Sequence, residues 1–139
     1  MSLFDEKNLK NTSISEIGEF ELIDTLTNDI EYNNRNIIKG IGDDAAVIDI
    51  GKKTLLVSTD MLVEGVHFDL SYTPLKHLGY KAVSVNVSDI CSMNGETKYI
   101  TVGIAISNRF SVEALKELYL GIRLACKQYG VELVGGDTT

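Results

Sequence analysis

Two short apolar runs, "AAVIDI" at 45–50 and "TLLV" at 54–57, flank Gly51-Lys52-Lys53, and an acid stands at each end of the pair. The pattern predicts a β-hairpin over 44–50 and 53–60. A turn centred between Gly51 and Lys52 pairs residues whose numbers sum to roughly 103, within a residue or two. Asp44 then faces Thr59 and lies diagonal to Asp60, with Cβ separations of roughly 5 Å and 7–8 Å. At an effective dielectric of ~20, two carboxylates ~5 Å apart repel by ~3 kcal/mol. A hairpin keeps such a mouth only if one acid is protonated, both face water, or a cation lies between them.

The rest of the chain supplies helices to cover that hairpin. Residues 1–14 are polar and expected to be loose. "SEIGEFELIDTLTNDI" puts Ile17, Phe20, Ile23 or Leu22, and Leu26 at helical spacing, and "EYNNRNIIK" reads as a loop. Thr73 is expected to cap a second helix with Pro74 in its first position, ending near Met93 at "NGET". "YITVGIAIS" alternates Ile100, Val102, Ile104 and Ile106 on one face of a strand. Ser111 caps a third helix, stapled by Phe110 and Leu115, which presents Leu115, Leu118, Ile122, Ala125 and Tyr129 and stops at Gly130. "VELVGG" is a last short strand. The order implies an α/β (α+β) two-layer sandwich, a mixed four-stranded sheet with helices, in one domain over 1–139.

A net charge of −7 weighs against nucleic acid and anionic membranes as partners. No apolar run approaches the ~20 residues of a membrane span, and the N-terminus lacks a signal-peptide core, so the cytoplasm is expected. Cys91 and Cys126 show no metal-ligand spacing and read as small core fillers.

Other acids join the hairpin mouth. Asn86 and Asp89 share one face of the second helix, among the small residues Ala82, Ser84, Ser88 and Ser92. "GGDTT" adds Asp137 behind glycines that let backbone N–H groups approach a phosphate. With Ser58 and Thr59 these make a hard-oxygen set suited to Mg2+, in more than one copy, bridging the phosphates of a nucleotide. Each acid also has a plainer use: Asp43 as a turn cap, Asp60 and Asp137 as loop acids. His67 and His77 lack a ligand pattern. "GIGDDA" fits a dinucleotide fingerprint only in letters, because it opens a strand, and "GKKT" sits in a hairpin turn without the upstream glycine of a phosphate loop.

"GEFELI", "GIGDDAAV", "STDMLVEGVHF", "YKAVSVNVSDICSMNG" and "VGGDTT" occur in the order and spacing of the N-terminal half of thiamine-monophosphate kinases, which the sequence resembles over residues 18 to 139. That family shares a superfamily with aminoimidazole ribonucleotide synthetase, selenophosphate synthetase and the hydrogenase-maturation dehydratase. The resemblance implies the aminoimidazole ribonucleotide synthetase-like fold and ATP-dependent phosphorylation of thiamine phosphate to thiamine diphosphate. It implies Asp44, Ser58, Thr59, Asp60, Asp89 and Asp137 as Mg2+ ligands, Gly136 and Asp137 as ATP contacts, and His67 as a substrate contact. It further implies a homodimer paired through the sheet. Family members continue into a second domain that this chain does not contain, so it is expected to be inactive alone. The rival readings are another ATP-using member of the superfamily and a non-catalytic nucleotide-binding or dimerisation module.

Overall fold

The computed structural model describes residues 18–139; the segment 1–14 and Ile17 lie outside the described residues. The chain divides into two compact units, Met1–Arg35 and Asn36–Thr139. The first carries helix α1, Glu19–Thr27, where the Thr25 and Thr27 hydroxyls donate back to the carbonyls of Glu21 and Ile23. Phe20 and Leu26, placed by spacing on its apolar face, are exposed.

The second unit opens with strands β1 (Ile37–Lys39), β2 (Ala46–Asp49) and β3 (Thr54–Val57). β2 and β3 form the expected hairpin in the expected register, with Ala46 opposite Val57 and Asp49 opposite Thr54. Its turn needs Gly51, which sits at φ 90 while its N–H donates to Asp49 Oδ1 at 2.8 Å. The segment read as a loop contains β1, which pairs antiparallel with β2 across an irregular register. Three residues are too few for a period-2 signal to declare itself.

Helix α2, Leu75–Ser92, begins one residue later than expected. Pro74, with φ −63 and ψ 136, is still extended and serves as the N-cap without a side-chain cap. Helix α3, Val112–Tyr129, starts as the sequence indicates: Ser111 Oγ accepts the Ala114 N–H at 3.1 Å, and Gly130 ends it in the left-handed region at φ 69. The two helices touch backbone to backbone. A Cβ on Gly79 would lie 2.0 Å from the Leu118 carbonyl oxygen, and one on Gly121 would lie 1.9 Å from that of Lys76.

Around this crossing Leu78, Val83, Leu118, Ile122, Ala125 and Cys126 form the core. Ile100, Val102 and Ile104 of strand β4 (Tyr99–Ile104) pack against it, as their alternation requires. β4 pairs in parallel with β5 (Glu132–Thr138), and α3 is the crossover between them. Cys126 fills the core as expected, whereas Cys91 is exposed. Tyr129 is only partly covered, and its hydroxyl meets Ser84 Oγ at 3.1 Å.

The class is α/β with helices layered on strands, but the strands form two sheets, β1-β2-β3 antiparallel and β4-β5 parallel. A single four-stranded sheet is not formed. β3 and β4 do not pair; residues of both line an open cleft of about 850 Å³. Among the described residues no helix is long and apolar enough to cross a membrane.

Candidate functional site

The β2–β3 ladder stops at Ala46 and Val57, so the expected pairing of Asp44 with Thr59, which would set Asp44 diagonal to Asp60, is not formed. Beyond the ladder the chain is held by α2. Residues 86, 89 and 92, spaced by three, share one helix face, and each fixes a different part of the hairpin mouth. Asn86 Oδ1 accepts the Asp60 N–H at 3.0 Å, while its Nδ2 donates to the Ala82 carbonyl at 2.9 Å. Asp89 Oδ2 accepts from Ser58 Oγ at 2.8 Å. Ser92 Oγ lies 2.5 Å from Asp44 Oδ2 and 2.7 Å from the Asp89 carbonyl oxygen, both acceptors for its one proton.

The acids are thus spread along a helix face instead of being pressed together across a strand pair. Asp44 and Asp60 are exposed and Asp89 is half-buried, so water screens what repulsion remains. Asp43 takes the turn-capping role: Lys39 pairs with its carboxylate, whose other oxygen accepts the Asp44 N–H at 3.0 Å. The Lys39 hydrogen bond and that N–H hold the Asp43 carboxyl below the ordinary aspartate range.

Ser58, Thr59 and Asp60 line the cleft together with Lys98, Tyr99, Ile100, Thr101 and Gly103. Asp137 lies on β5, paired with that Gly103. Gly136 beside it has φ 152, and a Cβ there would fall 1.9 Å from the Val102 carbonyl oxygen; the close strand approach requires glycine. No hydrogen bond joins Asp137 to the other acids among the described residues. Nor do three or more His, Cys, Asp or Glu side chains among them form a ready metal cage.

The donor set still suits a hard cation. Along α2 the Asp44 and Asp89 carboxylates and the Ser58 and Ser92 hydroxyls are joined side chain to side chain, while Asp60 is held through its backbone N–H and its carboxylate accepts the Met61 N–H. Mg2+ is usually held by one or two carboxylates plus waters and phosphate oxygens. Two groups escaped sequence reasoning. Ser92 looked only like a small helix residue, although its place on the Asn86–Asp89 stripe was readable. Thr97 Oγ1, in the cleft wall, is buried without a partner among the described residues, and nothing in the sequence marks it.

No hydrogen bond joins His67 to these acids among the described residues. It lies in the segment between β3 and α2, where its Nδ1 accepts the Val63 N–H at 3.0 Å. Lys81 Nζ on α2 donates to its carbonyl at 2.6 Å. His67 is exposed.

Comparison with known proteins places the chain, over most of its length, in a family. A family model described as AIR synthase related protein, N-terminal domain, matches residues 42–139. A thiamine-monophosphate kinase of Aquifex aeolicus is 40% identical over 124 residues, 89% of this chain and 38% of that protein. One of Bacillus subtilis is 38% identical over 124 residues, 88% of this chain and 38% of that protein. The solved structure of AaThiL complexed with AMPPCP and TMP superimposes with a TM-score of 0.81 at 35% identity, covering 93% of this chain and 40% of that one. The chain therefore spans 38% of the length of these curated relatives.

Proposed function

The chain belongs to the AIR synthase related family through its N-terminal domain, and we propose that it is the N-terminal, Mg-ATP-binding part of a cytoplasmic thiamine-monophosphate kinase. The reaction is transfer of the ATP γ-phosphoryl group to thiamine phosphate. An acceptor phosphate oxygen forms the new O–P bond, the bond between the γ-phosphorus and the β,γ-bridging oxygen breaks, and ADP leaves with that electron pair. The acceptor oxygen is already ionised, so no side chain has to act as general base.

The observation that carries this reading is the tethering of Asp44, Ser58 and Asp60 to the face of α2 that bears Asp89. Asp44, Ser58, Thr59, Asp60 and Asp89 would hold Mg2+, and Asp137 would join them from β5. Bound Mg2+ would supply neutralisation of phosphate charge, which is most of what phosphoryl transfer asks of a protein besides positioning. Gly136 leaves room for the backbone to approach the nucleotide. His67 contacts the acceptor substrate. The solved complex of AaThiL with AMPPCP and TMP, an ATP analogue and the thiamine substrate, supports the same pair of ligands here. A homodimer through the sheets completes the proposal.

Because the chain covers 38% of its relatives, ligand-dependent stability is a sounder readout than turnover. Mg2+ with AMPPCP should raise the melting temperature, since a ligand at a hundredfold excess over its Kd adds ~2.7 kcal/mol. Asp89→Asn should lose most of that gain. An unchanged melting temperature on adding Mg2+ and AMPPCP, or an Asp89→Asn chain responding like wild type, would refute the assignment.

A further inference from the structure

The segment between β3 and α2 closes on itself around His67. The Val63 carbonyl accepts the N–H groups of Val66 at 3.2 Å and His67 at 2.9 Å, and the Gly65 N–H reaches the Phe68 carbonyl at 2.8 Å. Gly65 makes the turn at φ 79. The imidazole completes the knot, with Nδ1 accepting the Val63 N–H at 3.0 Å. A neutral imidazole has one N–H and one acceptor nitrogen. A backbone N–H can only donate, so Nδ1 must be the bare nitrogen and the proton must sit on Nε2. Among the described residues nothing hydrogen-bonds Nε2, and the residue is exposed. Lys81, reaching from α2 to the His67 carbonyl at 2.6 Å, fastens the knot to the helix that also holds the hairpin mouth.

We propose that His67 meets its ligand only as a hydrogen-bond donor, through Nε2–H, and that Lys81 is the positioning residue that keeps this donor in place. The inference rests on the thiamine phosphate reading above and narrows the atom recognised. His67 takes an acceptor of that ligand, a phosphate oxygen or a bare ring nitrogen, and does not serve its amino group. Nδ1 is unavailable because the Val63 N–H already occupies it, while the backbone bonds among Val63, Gly65, Val66, His67 and Phe68 hold the turn itself.

Two measurements on the isotope-labelled chain test this. A nitrogen–nitrogen coupling across the hydrogen bond should link the Val63 amide to His67 Nδ1, with the ring proton on Nε2. Titration with thiamine phosphate should then separate two amide substitutions that mimic opposite nitrogens. His67→Gln keeps a donor where Nε2 stands and should bind within a few-fold of wild type. His67→Asn keeps the acceptor for Val63 but loses the outward donor, and should bind about tenfold or more weakly, the cost of one hydrogen bond to a charged or polar acceptor. Lys81→Met should weaken both the coupling and the binding, and Lys81→Arg should restore them. A proton found on Nδ1, a missing coupling, or Asn binding better than Gln overturns the proposal. A wild-type chain that shows the coupling and the Nε2 proton yet binds no thiamine phosphate confirms the locked tautomer and refutes the substrate reading instead.

Discussion

Asp69, two residues beyond His67, shows how local bonding sets an ionisation. The Ser71 hydroxyl beside it and the Ser71 N–H, which meets Oδ1 at 2.8 Å, hold its carboxyl below the ordinary aspartate range. A depressed folded-state value means that the carboxylate favours the folded chain. Its contribution is complete above the unfolded value, about pH 4, and is lost as pH falls through the folded one. A carbon-detected NMR titration should place the Asp69 midpoint below that of an unstructured aspartate, and Ser71→Ala should move it upward. An unchanged midpoint in the variant would show that the hydroxyl contributes nothing. At this scale the sequence declared Asp89 and Asn86, because helical spacing alone sets them on one face. It also left Asp43 as a turn cap, which its bonds to Lys39 and the Asp44 N–H make it. It could not declare the partners of Ser92 or Lys81, because a hydroxyl 48 positions from its carboxylate has no spacing rule to find it.

The α2–α3 crossing is where two elements depend most sharply on single residues. Gly121 has its would-be Cβ 1.9 Å from the Lys76 carbonyl oxygen, an obstacle of backbone that cannot rotate away. In an isolated helix Gly→Ala gains ~1 kcal/mol from propensity. Here the helices must move apart, and overpacking of this kind costs ~1–3 kcal/mol or more. Gly121→Ala should therefore lower stability in urea unfolding by about 2 kcal/mol despite the better helix former. A stabilised variant would mean that the helices are free to separate. Neither glycine stood out in the sequence, since a close helix crossing is a property of two faces at once. The hairpin register, by contrast, was fully legible, because turn length and alternation fix it locally. The division of the strands into two sheets was not: it depends on whether β3 and β4 find each other across α2, and no local signal encodes that.

Across the whole molecule, apolar surface remains on the strands after the core is filled. Leu55 and Val57, two apart on β3 and so on one face, are 45% and 49% exposed, and Val134 on β5 is 58% exposed. Every residue of β5 is exposed, and among the described residues β3 and β4 each pair with a strand on one side only. Free edges and uncovered aliphatic faces favour association with another chain, which suits the homodimer proposed above. A stable dimer needs to cover ~800 Å² on each partner, an area that one face of a short sheet and its flanking loops can supply. Sedimentation equilibrium should therefore give the chain twice its 15.3 kDa mass. Val57→Lys puts an ammonium group in the middle of the apolar face, where burial without a counter-charge is costly. It should shift the chain to monomer while leaving the far-ultraviolet circular dichroism unchanged, because the side chain faces away from the α2–α3 core. A wild-type monomer, or a Val57→Lys chain that remains dimeric, would remove the β3 face from the interface and leave β5 as the surface to test.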